Sequence, residues 1–114
     1  MLDAPLKQNV QFKIGSRHRL CEILDDMGLS RAMVLTTAEQ SNAAHEIASI
    51  IGGHAAGIYS RATMHTPVDV TRDAVAHARE INADCLIAVG GGSTIGLGKA
   101  ITLNTALPQI AVPT

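Results

Sequence analysis

The stretch from Cys85 to Lys99 constrains the fold more than any other. An apolar run of strand length, Cys85-Leu86-Ile87-Ala88-Val89, ends in Gly90-Gly91-Gly92-Ser93, and a helix-compatible segment follows at once. Glycines at a strand-to-helix turn let the backbone approach a bulky anion, because no Cβ stands in the way. The new helix adds its unpaired N–H groups and the positive end of its dipole. Ser93 is placed to cap that helix and to offer its hydroxyl to a phosphate. The pattern predicts a pyrophosphate cradle built from Gly91, Gly92, Ser93 and Thr94. The competing reading is a turn whose glycines only let strand and helix pack closely.

Better-known glycine motifs do not fit. G-x-G-x-x-G fails because Ser93 stands where the second glycine of a register starting at Gly91 belongs. A P-loop would need glycine at position 93, and Gly98-Lys99 is followed by Ala100. A nucleophile elbow starting at Gly91 would need glycine in place of Ile95.

The rest of the chain alternates strands with helices. Val10, Phe12 and Ile14 alternate with polar neighbours, as in a half-buried or edge strand. Ser16 then caps a helix with Leu20, Ile23, Leu24 and Met27 on one face, and Gly28 stops it. A buried strand over 32–36 precedes a helix over 41–51 whose Ala44, Ile47, Ala48 and Ile51 point inward. A third strand covers 56–59. Thr66 and Pro67 open the next helix, with Val70, Ala74, Ala78 and Ile81 as its inner stripe. After the strand at 86–89 come a helix over 94–105 and a last strand over 109–112. This order predicts an α/β fold: a parallel sheet with helices on both faces, as in Rossmann-like nucleotide-binding domains. Ligands of such sheets bind beyond the carboxyl ends of the strands. That rule singles out Thr36-Thr37, Ser60 to His65, Gly90 to Thr94 and Pro113-Thr114.

Composition removes several function classes. Phe12 and Tyr59 are the only aromatic residues of 114, and the formal net charge is −1. Neither suits a base-stacking nucleic-acid surface or an anionic membrane. No apolar run approaches membrane-spanning length, and residues 1–11 hold no signal-like apolar core. Cys21 and Cys85 lie far apart without C-x-x-C spacing, so buried free thiols and a reducing cytoplasm are expected. The five histidines are scattered. His45-Glu46 opens an H-E-x-x-H pattern, but Ser49 stands where its second histidine belongs. No metal site is expected in this chain.

Gly90-Gly91-Gly92-Ser93 after an apolar strand, with Lys99-Ala100 two turns on, resembles the iron-containing alcohol dehydrogenase superfamily and its pattern GGGS-x-x-D-x-A-K. Gly96 replaces the aspartate and Gly98 the alanine, which is similar to the maleylacetate reductase branch. Phe12-Lys13-Ile14-Gly15 with Leu20, Met64-His65-Thr66-Pro67-Val68, and Leu107 to Thr114 also resemble family segments. The resemblance runs over nearly the whole chain, which stops inside the family's P-T-T-x-x-G-S-E turn.

This resemblance implies an N-terminal NAD(P)-binding domain over 1–114, without the family's helical C-terminal domain and its metal ligands. It implies NADH or NADPH as cofactor, a small dicarboxylate substrate, and a homodimer in the full-length family. The implied reaction is reduction of maleylacetate to 3-oxoadipate during aromatic-ring breakdown. Thr36, Thr37 and Thr114 are candidates for the ribose and adenine side. Thr36 and Thr37 stand where many NAD enzymes carry a carboxylate, and two hydroxyls do not repel a 2′-phosphate. Capping of the following helix is the other reading of both threonines. His65, in the loop after the third strand, is the candidate contact to substrate or nicotinamide, with a locally bonded loop histidine as the alternative. Arg61 is the other near-side cation. The family pattern gives Lys99 a binding role, and a solvated helix lysine is its alternative. Two further functions stay open: an iron-type alcohol dehydrogenase of another substrate, and a nucleotide-binding or interaction module without turnover.

Overall fold

A computed structural model describes residues 12–14, 17–63 and 68–112. The elements run β1 (Phe12–Ile14), a 3-10 turn (Arg17–Arg19) leading into α1 (Leu20–Asp26), β2 (Ala32–Leu35), a 3-10 turn (Ala38–Gln40) and α2 (Ser41–Ile51). They continue with a 3-10 turn (Gly52–His54), β3 (Ala55–Tyr59), α3 (Val68–Glu80), β4 (Cys85–Val89), α4 (Gly92–Thr105) and β5 (Gln109–Val112). Val10, Ser16, Thr66 and Pro67, expected to shape the first strand and two helix starts, lie outside the described residues.

The strands form one parallel sheet in the order β1-β5-β4-β2-β3. β1 occupies an edge, as its alternating pattern allowed. β2 and β4 are central, and every residue of both is buried. Their unbroken apolar runs reflect helices packed on both faces. Ala32, Val34, Cys85, Ile87 and Val89 meet Leu20 and Leu24 of α1 and Ala44, Ile47 and Ile51 of α2. On the other face Met33, Leu35 and Leu86 meet Ala74, Val75 and Ala78 of α3 and Leu97 and Ile101 of α4. The period-two alternation of a strand thus divides one apolar run between two half-cores.

Helix stripes follow the predicted spacing with local changes. In α2, Ala44, Ile47 and Ile51 are buried while Ala48 is half-buried. In α3, Val75 joins Ala74 and Ala78 in the core, and Val70 and Ile81 pack at its margin. Cys85 is a buried free thiol and Cys21 a partly buried one; burial pushes the Cys85 thiol well up from its usual range. Among the described residues no helix is long and apolar enough to cross a membrane.

The connections create the site. β2 leads through α2 to its neighbour β3 over one face of the sheet. β3 leads back through α3 over the other face to β4, on the opposite side of β2. β2 and β4 are therefore adjacent strands whose chains leave toward opposite faces. Between their carboxyl ends lies the crevice where open α/β sheets take ligands.

Candidate functional site

The glycine turn and the end of β2 form the two walls of this crevice. Gly90 has φ +136°, a backbone conformation that L side chains rarely adopt, and its N–H donates to the Val112 carbonyl at 3.2 Å. A Cβ at Gly90 would come within 2.5 Å of Gln40 Oε1 and 3.2 Å of Thr94 Oγ1. Gln40 thus reaches across from the β2 side and closes over the bend. Its role was invisible in the sequence, because only the strand order brings a polar side chain of the 3-10 turn against β4.

Gly91 and Gly92 are exposed, and a Cβ at either would meet nothing within 4 Å. Among the described residues, nothing fills the space beside them. Helix α4 starts at Gly92 with Gly91 as its N-cap, a residue with no side chain to cap it. Ser93 was expected to be that cap, with the helix beginning at Thr94. Instead the positive φ of Gly90 completes the turn early, so Ser93 is the second residue of the helix. The first-turn amides of Gly92, Ser93 and Thr94 have no carbonyl of their own helix to bond. Thr94 is fully buried, and its Oγ1 has no hydrogen-bond partner among the described residues. A buried hydroxyl left unpaired beside an uncapped helix start is the arrangement an anion would complete.

On the other wall, Thr36 and Thr37 separate in role. Thr36 is fully buried, and its hydroxyl donates to the Gln40 carbonyl at 3.1 Å. Its N–H donates to the Tyr59 carbonyl and its carbonyl accepts from Ala62 N–H, so it holds the strand ends together. Thr37 is half-buried and makes no capping bond to the turn it precedes. A cleft of about 560 Å³ brings Thr37 together with Glu39, Ser60, Arg61, Thr63 and Ser93. The Tyr59 phenol donates to Asp73 Oδ2 at 2.8 Å, and Arg61 Nη1 donates to the same oxygen at 3.1 Å. Burial, then the Asp73 contact, pushes the Tyr59 phenol up to about 12.

Lys99 is exposed two turns into α4. His65 and Thr114 lie outside the described residues. The open turn, orphaned hydroxyl and unspent amides fit the diphosphate of a dinucleotide. Among the described residues no three His, Cys, Asp or Glu side chains converge, so they do not assemble a donor set for a metal.

The family model described as iron-containing alcohol dehydrogenase matches residues 7–114. A maleylacetate reductase of Burkholderia cepacia is 48% identical over 105 residues, covering 92% of this chain and 30% of that protein. One from a Rhizobium species is 50% identical over 105 residues, with the same coverage of 92% and 30%. The crystal structure of maleylacetate reductase from Agrobacterium tumefaciens superposes with a TM-score of 0.86 at 46% identity, covering 92% of this chain and 31% of that one. The chain therefore spans about 30% of the length of the curated relatives it matches. With its sheet order, its glycine turn and these matches, the chain belongs to the iron-containing alcohol dehydrogenase family.

Proposed function

We propose that this chain is the nucleotide-binding part of a maleylacetate reductase-like enzyme, which reduces maleylacetate to 3-oxoadipate with NADH or NADPH during the breakdown of aromatic rings. The observation that carries the reading is the start of α4, where the open glycines and first-turn amides lie beside the buried Thr94 hydroxyl, which has no partner among the described residues. Identity of 48–50% to maleylacetate reductases supports the substrate class.

In this reading Gly91 leaves room for the pyrophosphate, and the amides of Gly92, Ser93 and Thr94 receive its oxygens at the positive helix end. Ser93 and Thr94 add hydroxyl donors. Thr37 receives a ribose hydroxyl, while Thr36 supports it from beneath. Thr114 serves the adenine side and His65 the substrate side. The bound dihydronicotinamide would supply the hydride. This chain's share is to grip and orient the cofactor, with the remaining substrate groups coming from the rest of a longer enzyme across the cleft. The full enzyme would be a cytoplasmic homodimer.

Calorimetric titration with NADH and NADPH tests the cradle. Wild type is expected to bind, and Thr94→Val, which keeps the shape and removes the hydroxyl, is expected to bind about tenfold more weakly, as for loss of one bond to a charged group. Failure to bind either nucleotide at millimolar concentration, or equal binding by Thr94→Val, would overturn the cradle. Reductase assays with maleylacetate on the full-length enzyme test the substrate.

A further inference from the structure

The rim of the cleft carries a charge device that the pyrophosphate cradle does not use. Arg61, just after β3, is 70% exposed in its side chain and pairs with Asp73 of α3 at 3.1 Å. The same Asp73 oxygen accepts the phenol of Tyr59, which is only 5% exposed. A buried ring thus fixes a carboxylate, and the carboxylate fixes a guanidinium at the cleft wall. Exposed ion pairs add little stability, and holding a long side chain in one geometry opposes them with lost rotamer entropy. Stability is therefore a weak reason for the brace, whereas a guanidinium oriented in advance is a strong asset for recognising an anion.

The position selects the anion. Arg61 lines the same cleft as Thr37, the strand-end residue where a carboxylate would grip a ribose diol and repel a phosphate. Thr37 is neutral. We propose that Arg61, oriented by Asp73 and Tyr59, is a specificity-determining residue that binds the 2′-phosphate of a phosphorylated dinucleotide. The inference rests on the nucleotide reading above. Arginine presents five N–H donors in a planar fork that matches phosphate, and the Asp73 bond engages it through Nη1. Glu39, exposed in the same cleft, opposes the phosphate, so preference is the difference between Arg61 attraction and Glu39 repulsion.

The test is the ratio of NADPH to NADH affinity, measured by titration of wild type, Arg61→Gln, Arg61→Lys and Glu39→Gln. Arg61→Gln is expected to weaken NADPH about tenfold or more, as for loss of a charged hydrogen bond, and to leave NADH within about twofold. Arg61→Lys keeps the charge without the fork and is expected to fall between. Glu39→Gln is expected to shift the ratio toward NADPH. NADH binding by each variant reports that its cleft is folded. A ratio unchanged in Arg61→Gln, or both nucleotides weakened equally, overturns the assignment of Arg61 alone. A wild-type chain that binds neither nucleotide overturns the nucleotide reading and this assignment together.

Discussion

The carboxamide of Gln109 lies against the Cα of Gly98, in the volume where any other residue would carry its Cβ. Gln109 opens β5 and is 2% exposed, and its Oε1 has no hydrogen-bond partner among the described residues. Gly98 is buried in α4. It stands where the superfamily pattern has alanine, and the contact gives that departure a physical reason. In an exposed helix interior, Gly→Ala would stabilise by roughly 0.5–1 kcal/mol. Here the carboxamide has no solvent to retreat into. Gly98→Ala is therefore expected to lower stability by about 1–3 kcal/mol through overpacking. Gly98→Ala combined with Gln109→Ala should recover most of the loss. Denaturant unfolding of the four members of this cycle checks it, and additive effects would show that the contact is not the cause.

At the far end of the sheet Asp84 ties two strand entries together. The two oxygens of Asp84 accept the N–H groups of Ser30 and Arg31 at 2.9 and 3.0 Å. Asp84 N–H donates to the Arg31 carbonyl at 2.8 Å. The Arg31 guanidinium covers the carbonyls of Ile81 and Asn82 at the end of α3. This clasp joins the entries of the adjacent strands β2 and β4. Asp84→Ala leaves two amides without their carboxylate and is expected to lose about 1–3 kcal/mol. Asp84→Asn, which keeps one acceptor, should lose less. A chemical-denaturation midpoint unmoved by Asp84→Ala would mean that water replaces the clasp without penalty.

The pH dependence of stability has a named contributor. His54 Nε2 pairs with Asp25 Oδ1 at 3.0 Å, and its Nδ1 lies 3.2 Å from the Ile51 carbonyl. The Asp25 bond, then the Ile51 carbonyl, raises the imidazole above its ordinary value of 6.5. Protonated His54 is favoured in the folded chain, so its contribution is complete below about 6.5 and fades as pH rises through the raised folded value. Titration of the imidazole by NMR should show the raised midpoint in wild type and a return toward 6.5 in Asp25→Asn. A wild-type midpoint already at the ordinary value would remove His54 from the account.

What the sequence disclosed and what it withheld follow from the range of the interactions. The strand ending in Gly90-Gly91-Gly92, the stripe Ala44-Ile47-Ile51 and the parallel sheet were legible because they depend on local period and turn chemistry. Gln40 over Gly90, Asp84 under Ser30 and Arg31, and Asp73 between Tyr59 and Arg61 were not. The first two join residues that only the strand order makes neighbours, and the third depends on how α3 packs back beside the end of β3. Ser93 shows a subtler miss. Serine is a strong capping residue, but with glycine at position 90 already providing the positive φ, the helix begins one residue before it.

Gly91 separates stability from binding most sharply. It is the N-cap of α4, with φ −106° and ψ −147°, a backbone that does not require glycine, and a Cβ there would meet nothing within 4 Å. Gly91→Asp should therefore fold. Its carboxylate would accept the free first-turn amides and sit at the positive helix end, raising stability by a few tenths of a kcal/mol. Those are the same amides that the proposed pyrophosphate needs, and the new charge would repel it as well. Gly91→Asp is thus expected to melt at or slightly above the wild-type temperature while losing dinucleotide affinity by at least about tenfold. Gly91→Ala, which adds volume without charge or cap, should lose less. If Gly91→Asp bound NADH as tightly as wild type, the anion would have to lie away from the α4 start, and the cradle would be refuted by a variant whose fold is intact.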